Sequence, residues 1–239
     1  NSAAAANQSL THEVVVQAGA SFTGTFTLPA RNTATGWVII RSANLSSLPT
    51  LGKRVTVSDA SNMPTIQSAT AGSPVFDALS QARRYRMVGL NLTMTSAASP
   101  IQTALVRFGD GNQGDSTIPS HLILDRSWVH NAGNSTTQMR NAVMMNADNC
   151  AVIDSLLQDA QEVGSESHGI ASWSTQGPLL VQNNRIEAAS INILLGGSGQ
   201  AVSGIGALKD VTIRRNYLTK QDRWNKHIPA WDGNTWNVK

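Results

Sequence analysis

Two groups of polar and aromatic residues in this sequence are of types that could do chemistry together. The first recurs in equivalent places along the chain: Trp128 with His130, Gln158 with Asp159, Arg185 with Glu187, and Tyr217 with Thr219. Sugar rings stack on tryptophan and tyrosine faces, and an arginine or a carboxylate hydrogen-bonds hydroxyls or carboxyl groups. An arginine beside a carboxylate could also take the proton α to a uronate carboxyl, the first step of a β-elimination. The plainer reading of the same residues is a solvated outer face held by ordinary ion pairs. The second group is Glu166, His168 and Trp173. Histidine and glutamate there could act as acid and base with Trp173 as a sugar platform, or they could be turn residues beside a surface aromatic. Catalytic candidates are therefore Arg185, Glu187, His168 and Glu166. Substrate-binding candidates are Trp128, His130, Trp173 and Tyr217. A hydrolase needs two carboxylates at a defined separation. Glu162, Glu166 and Glu187 are the glutamates in this region, and a sequence gives no distances.

Other motifs carry less. Asp110-Gly-Asn-Gln-Gly-Asp115 has the look of a calcium loop but lacks the terminal glutamate and full ligand spacing, and reads as a Gly-Asn turn. Gly196-Gly-Ser-Gly199 lacks the Lys-Ser/Thr of a phosphate loop and reads as a turn. No metal site is evident. Cys150 is the single cysteine, so no internal disulfide forms, and beside Ala151 and Val152 it reads as a small buried hydrophobe. The 18 basic and 15 acidic residues are scattered, which argues against a nucleic-acid partner. No apolar run approaches the roughly 18 residues of a membrane span.

The elements that must position these residues follow from a repeat. Leu122-Ile-Leu-Asp-Arg-Ser-Trp-Val129 aligns with Cys150-Ala-Val-Ile-Asp-Ser-Leu-Leu157, with Leu179-Leu-Val-Gln-Asn-Asn-Arg-Ile186 and with Val211-Thr-Ile-Arg-Arg-Asn-Tyr-Leu218. Tyr85 to Leu92 fits with Leu90 in the Ser/Asn slot. The spacings are 37, 28, 29 and 32 residues, too variable for helical repeat arrays and suited to coils that keep their strands and vary their turns. Charged residues are only 14% of the chain, against roughly 25% in typical soluble domains, which favours short strands and turns over long exposed helices. Alternate residues of each strand should face inward and stack in apolar columns. Leu122, Cys150, Leu179 and Val211 form one column, and Leu124, Val152, Val181 and Ile213 the next. A third holds Val129, Leu157, Ile186 and Leu218. Ser127, Ser155, Asn184 and Asn216 should form a hydrogen-bonded ladder at the bend between strands.

Further strands are expected at 141–146, 168–173 and 191–195, and a single turn of helix at 78–84. The chain thus reads as all-β, a single-stranded right-handed parallel β-helix (a solenoid), with its C-terminal end expected to be incomplete. Residues 1–13 read as an N-terminal extension. Residues 14–84 read as less regular opening coils, with an excursion over 42–73. Regular coils fill 85–220, and 221–239 read as an uncapped end. An uncapped stack exposes core and strand edges, so a fragment, end-to-end self-association or a partner over the last coil is expected.

The coil pattern resembles the pectate-lyase-like superfamily of right-handed parallel β-helices. Gln17-Ala-Gly-Ala-Ser-Phe-Thr-Gly-Thr-Phe26, Ala151-Val-Ile-Asp-Ser155, Val181-Gln-Asn-Asn-Arg-Ile-Glu-Ala-Ala189 and Ile193-Leu-Leu-Gly-Gly197 are similar to a group of bacterial β-helix repeat proteins. The resemblance implies an extracellular protein that binds or degrades a polysaccharide, lyase- or hydrolase-like, or a non-catalytic adhesin, scaffold or filament subunit. Ser167-His168-Gly169-Ile170 matches only the His-Gly element of polygalacturonase-like hydrolases, and the acidic column of calcium-dependent lyases is absent. Calcium is thus implied by the resemblance alone. Low charge with abundant Asn, Ser and Thr, and an Asn1-Ser-Ala-Ala opening like the residues that follow a cleaved leader, point to a secreted or cell-surface bacterial protein.

Overall fold

The computed structural model describes residues 7–114, 116–196 and 206–239. Strands follow one another in coils. The first coil holds β1 (His12–Val16), β2 (Ser21–Thr23) and β3 (Phe26–Leu28), and the second β4 (Val38–Ser42), β5 (Thr65–Ser68) and β6 (Phe76–Ala78). The third holds β7 (Arg83–Val88), β8 (Asn91–Met94) and β9 (Val106–Phe108), and the fourth β10 (Ser120–Asp125), β11 (Trp128–Val129) and β12 (Asn141–Met145). Next come β13 (Cys150–Ile153), β14 (Leu156–Ala160) and β15 (His168–Ser172), then β16 (Leu179–Gln182), β17 (Arg185–Ala188) and β18 (Ile191–Leu195), and last β19 (Val211–Arg214) and β20 (Tyr217–Thr219). Equivalent strands of successive coils pair in parallel. They make a first and a second sheet of seven strands each and a third of six, the arrangement of a parallel β-helix.

The register is the one the repeat implies. Tyr85, Leu122, Cys150, Leu179 and Val211 stack as neighbours, as do Met87, Leu124, Val152, Val181 and Ile213. Leu92, Val129, Leu157, Ile186 and Leu218 form the third column. All are buried except those of the last coil, where Val211, Ile213 and Leu218 are exposed. Each fully buried aliphatic side chain contributes about 1.5–3 kcal/mol.

The bend between first and second sheets is built the same way in five coils. Gly89, Arg126, Asp154, Asn183 and Arg215 all take left-handed backbone conformations, with φ from 42° to 65°. The residue after each bend carries the ladder. The N–H of Leu90 donates to Ser127 Oγ (3.1 Å), that of Ser127 to Ser155 Oγ (3.1 Å), that of Ser155 to Asn184 Oδ1 (2.9 Å) and that of Asn184 to Asn216 Oδ1 (2.9 Å). Each side chain thus satisfies a backbone donor one coil away that the bend would otherwise bury unpaired. Leu90 breaks the side-chain pattern, yet its N–H is capped like the others.

Two expectations need correction. Residues 78–84 are not helical: β6 ends at Ala78 and β7 begins at Arg83, because the intervening backbone bonds to neighbouring coils, Gln81 N–H to Thr117 O and Arg31 N–H to Gln81 O. The excursion is shorter than 42–73, since Thr65–Ser68 is a strand of the second sheet, flanked by β2 and β8. What leaves the coil is the segment 43–64. It runs along the stack as a strap, its Gly52 N–H on Asp154 Oδ2, its Val55 N–H on Asp154 O and its Arg54 on Asn183 Oδ1 and Arg215 O. Residues 221–239 turn back along the side of the stack, and Val211, Ile213 and Leu218 of the last coil stay exposed. Trp224 and Trp236 bury against Ala189, Trp224 Nε1 donates to Gln161 Oε1, and Asn234 Nδ2 reaches Ser135 O. No described helix is long and apolar enough to cross a membrane.

Val181→Asp is expected to destabilise the protein severely, by about 4 kcal/mol or more, because it places an unpaired charge in the column. Asn184→Ala is expected to cost about 1–3 kcal/mol, since it strands the Ser155 N–H and the Val152 carbonyl. Asn184→Ser is expected to be milder, because serine does this work in two other coils. Denaturant midpoints of the three variants check that order.

Candidate functional site

The second-sheet face carries the first group of candidates, and their polar atoms are bound to one another. Trp128 stacks on His130 with ring centroids 3.8 Å apart, and its Nε1 donates to Gln158 Oε1 (2.8 Å). His130 is engaged at both ring nitrogens, by Asn131 O and Asn91 Oδ1, and burial lowers its pKa. The strap covers the middle of this face, where Leu156 packs with Leu48, Val55 and Met63. Arg185 pairs with the buried Glu187 and lies over the Tyr217 ring at 5.8 Å. Glu187 Oε2 also accepts from Gln158 (3.1 Å) and Gln221 (2.9 Å). Asp159, next along, takes Gln221 Nε2 (2.7 Å) and Arg223 Nη2 (2.9 Å). Residues of the returning C-terminal segment therefore close this face.

The second group lies on the third sheet, away from Arg185 and Glu187, and there the surface is open. A groove of about 450 Å³ is lined by His168 and Trp173 together with Arg107, Asp110, Arg140 and Asn141. The register Asn141↔His168↔Ile191 fixes the histidine in its column. The next residue, Gly169, must be glycine: a Cβ there would lie 2.1 Å from Ile186 Cγ2 and 2.8 Å from Asn192 O. That close approach seats the start of β15 deep in the stack.

The tautomer of His168 is set by a relay of amide contacts. Asn141 Nδ2 donates to Thr103 O, so its Oδ1 is the atom that faces His168 Nδ1 at 2.7 Å. Nδ1 must then carry the proton, and Nε2 keeps its lone pair. Nε2 is buried and has no hydrogen-bond partner. The nearest carboxylate, Glu166, is 3.7 Å away and is itself in contact with Lys239. Burial, reinforced by the Arg140 charge, pushes the His168 pKa down to about 4. The ring is a neutral acceptor at ordinary pH.

Two arginines line the same groove, each tethered by a carboxylate. Arg107 makes two bonds to Asp77 (2.7 and 2.6 Å), which together with the Asp110 charge raise its pKa. Arg140 clasps the buried Glu162 through Nε and Nη2. The Nη1 group of each guanidinium is not used in these pairs. Trp173 is held by its own N–H on Asn146 Oδ1 (2.9 Å), and the 109–111 turn packs against its indole, where a Cβ on Gly111 would lie 2.7 Å from Nε1.

The structure thus brings His168, Trp173 and, at the rim, Glu166 together, and places Trp128, His130, Arg185, Glu187 and Tyr217 on another sheet. Sequence reasoning missed Arg107, Arg140 and Asn141. Asn141 opens the strand aligned one coil before His168, a signal that was present, whereas Arg107 sits on β9, three residues long and without a repeat signature. Cys150 is buried, and burial pushes its thiol pKa up. Calcium does not fit the groove. Asp110 is the one carboxylate among the lining residues and its Oδ1 already accepts the Asn112 N–H, while Asp77 and Glu162 serve arginines. Among the described residues no group of three or more His, Cys, Asp or Glu is placed to hold a metal ion.

No family model and no curated protein matches this sequence. Among solved structures it is similar to an alginate lyase from Paenibacillus sp. strain FPU-7, at 13% identity and a TM-score of 0.49, over 92% of this chain and 70% of that one.

A histidine whose folded pKa lies below its unfolded value binds fewer protons folded than unfolded between the two. Stability is therefore expected to rise with pH from about 4 to 6.5 through His168. His121 and His130, also lowered, act in the same direction. The His168 ring resonance, assigned by its loss in His168→Gln, is expected to titrate near pH 4, and a midpoint near 6.5 would show the ring to be hydrated and free.

Proposed function

We propose that this chain is an extracellular bacterial β-helix, right-handed and wound from a single chain, that cleaves a uronate-containing polysaccharide by β-elimination in the third-sheet groove. The observation that carries the reading is the buried, neutral His168 with an unpartnered Nε2 in a groove also lined by two arginines. In this reading Arg107 and Arg140 hold the uronate carboxylate and withdraw charge from the carbon beside it. His168 Nε2, buried in the free protein, must be uncovered as the polysaccharide seats; it then takes the proton from that carbon, the carbon–oxygen bond at the neighbouring position breaks as a carbon–carbon double bond forms, and the departing oxygen takes a proton from water. Trp173 supplies a ring face for stacking. The right hand of the winding follows the preference of parallel crossovers, and the low charge of the sequence supports the extracellular location.

A non-catalytic surface protein, an adhesin or scaffold, is the second reading. It is favoured by the carboxylates Asp77 and Glu162, which already neutralise both arginines.

A panel of uronate polysaccharides followed by the ultraviolet absorbance of unsaturated ends separates the two. Cleavage is expected on at least one acidic polymer, and His168→Gln is expected to lower kcat by about 10²–10⁴-fold without loss of folding. The wild-type rate is expected to rise through pH 4 and then level off as far as this group is concerned. New reducing ends without unsaturation would mean hydrolysis, and binding without product would mean the non-catalytic protein.

A further inference from the structure

The returning C-terminal segment makes a second concavity, of about 570 Å³, beside the stack. Its walls carry Trp224, Trp231 and Trp236 with Lys220, Lys226 and His227; amide side chains fill much of the rest, and no carboxylate lines it. The edge of each indole is pinned by its N–H. Trp224 Nε1 donates to Gln161 Oε1 (2.9 Å), Trp231 Nε1 to Asn234 O (2.9 Å) and Trp236 Nε1 to Asp232 Oδ1 and Oδ2 (both 2.9 Å). Trp224 and Trp236 are buried, while Trp231 is 41% exposed. An indole fixed at its edge and exposed elsewhere is a rigid platform, and little freedom is lost when a ring stacks on it.

The charge in this concavity is uncompensated. Lys220 Nζ is held by the carbonyls of Ala188, Ala189 and Ser190, so its position is fixed while its charge meets no carboxylate. No ion pair among the described residues takes up Lys220 or Lys226. Two acids adjoin the walls in sequence: Asp232 is turned to Arg223, Trp236 and Asn234, and Asp222 makes no ion pair with either lysine. A half-buried ammonium without a counter-charge favours an anionic ligand. The segment also leads toward the histidine groove: Val163 bridges to Trp236, and Lys239 contacts Glu166, which stands beside His168.

We propose that this concavity is a binding subsite for an acidic oligosaccharide, with a pyranose ring stacked on Trp231 and carboxylates drawn to Lys220 and Lys226. It rests on the reading of the ligand as a uronate polysaccharide and does not require that His168 do chemistry. A chain seated here could run on past Glu166 into the groove.

The test is calorimetric titration of the intact protein with hexamers of mannuronate, guluronate and galacturonate, and with neutral cellohexaose. At least one acidic hexamer is expected to bind, more weakly at high salt, and cellohexaose to bind poorly. Trp231→Ala and Lys226→Ala, both at the surface, are each expected to raise Kd by about tenfold, and Lys53→Ala, an exposed lysine of the 43–64 strap outside both sites, to leave it within about twofold. That pattern without any cleavage would keep the subsite and overturn the lyase reading. Cleavage with a KM untouched by Trp231→Ala and Lys226→Ala would overturn the subsite and leave the lyase reading standing. Equal binding of cellohexaose, or a loss of binding confined to His168→Gln, would also overturn it. Failure of every hexamer to bind, with no cleavage, would overturn both.

Discussion

The constraint on which this structure depends is the backbone amide at the bend between its first and second sheets. A coil that turns a corner around a tightly packed apolar interior must bury donors that no straight strand can reach, and an unpaired buried donor costs about 1–3 kcal/mol. Here the corner is turned by a left-handed residue, and the next residue down the stack supplies an oxygen to the amide that the corner strands. A left-handed conformation costs about 1–2 kcal/mol for a residue other than glycine. Repetition makes that tolerable, because each coil provides the acceptor its neighbour needs. The same device fixes the register of the columns inside, since a slip by one residue would remove every ladder acceptor and turn every core side chain outward.

Two long, non-repeating segments then decide which surfaces remain available. The 43–64 strap seals the corner and lies over Leu156. The returning C-terminal segment ties down Asp159 and Glu187 through Gln221 and Arg223. The face these segments close carries Trp128, Arg185, Glu187 and Tyr217. The third sheet is met by the C-terminal segment at Glu166, through Lys239, and its groove combines a fixed histidine tautomer, two tethered guanidinium groups and a tryptophan. The tethering orients the arginines and lowers their net charge together, which is why the same geometry suits both chemistry and binding alone.

The columns and the ladder were legible in the sequence because both repeat: Leu124, Val152, Val181 and Ile213 can be aligned by eye, and so can Ser127, Ser155, Asn184 and Asn216. The strand at 65–68 and the non-helical turn at 78–84 were not, because short segments take their conformation from the neighbouring coil's hydrogen bonds rather than from local preference. Of the candidate site, His168, Glu166 and Trp173 could be picked out by residue type. The arginines beside them come from turns and short strands of other coils, 28 and 61 positions before His168 (Arg140 and Arg107), with no pattern linking them.

The sequence by itself determined the stacking of coils, the inward columns and the bend, since alternation and inter-coil register follow from periodic burial of apolar side chains. Only the tertiary structure decided which outer face stays open, which nitrogen of His168 carries its proton, and where the three tryptophans of the last segment come to rest. Those depend on single contacts between residues far apart in the chain, Asn141 with Thr103, Trp224 with Gln161, Asp154 with Gly52, and a contact made once leaves no periodic trace.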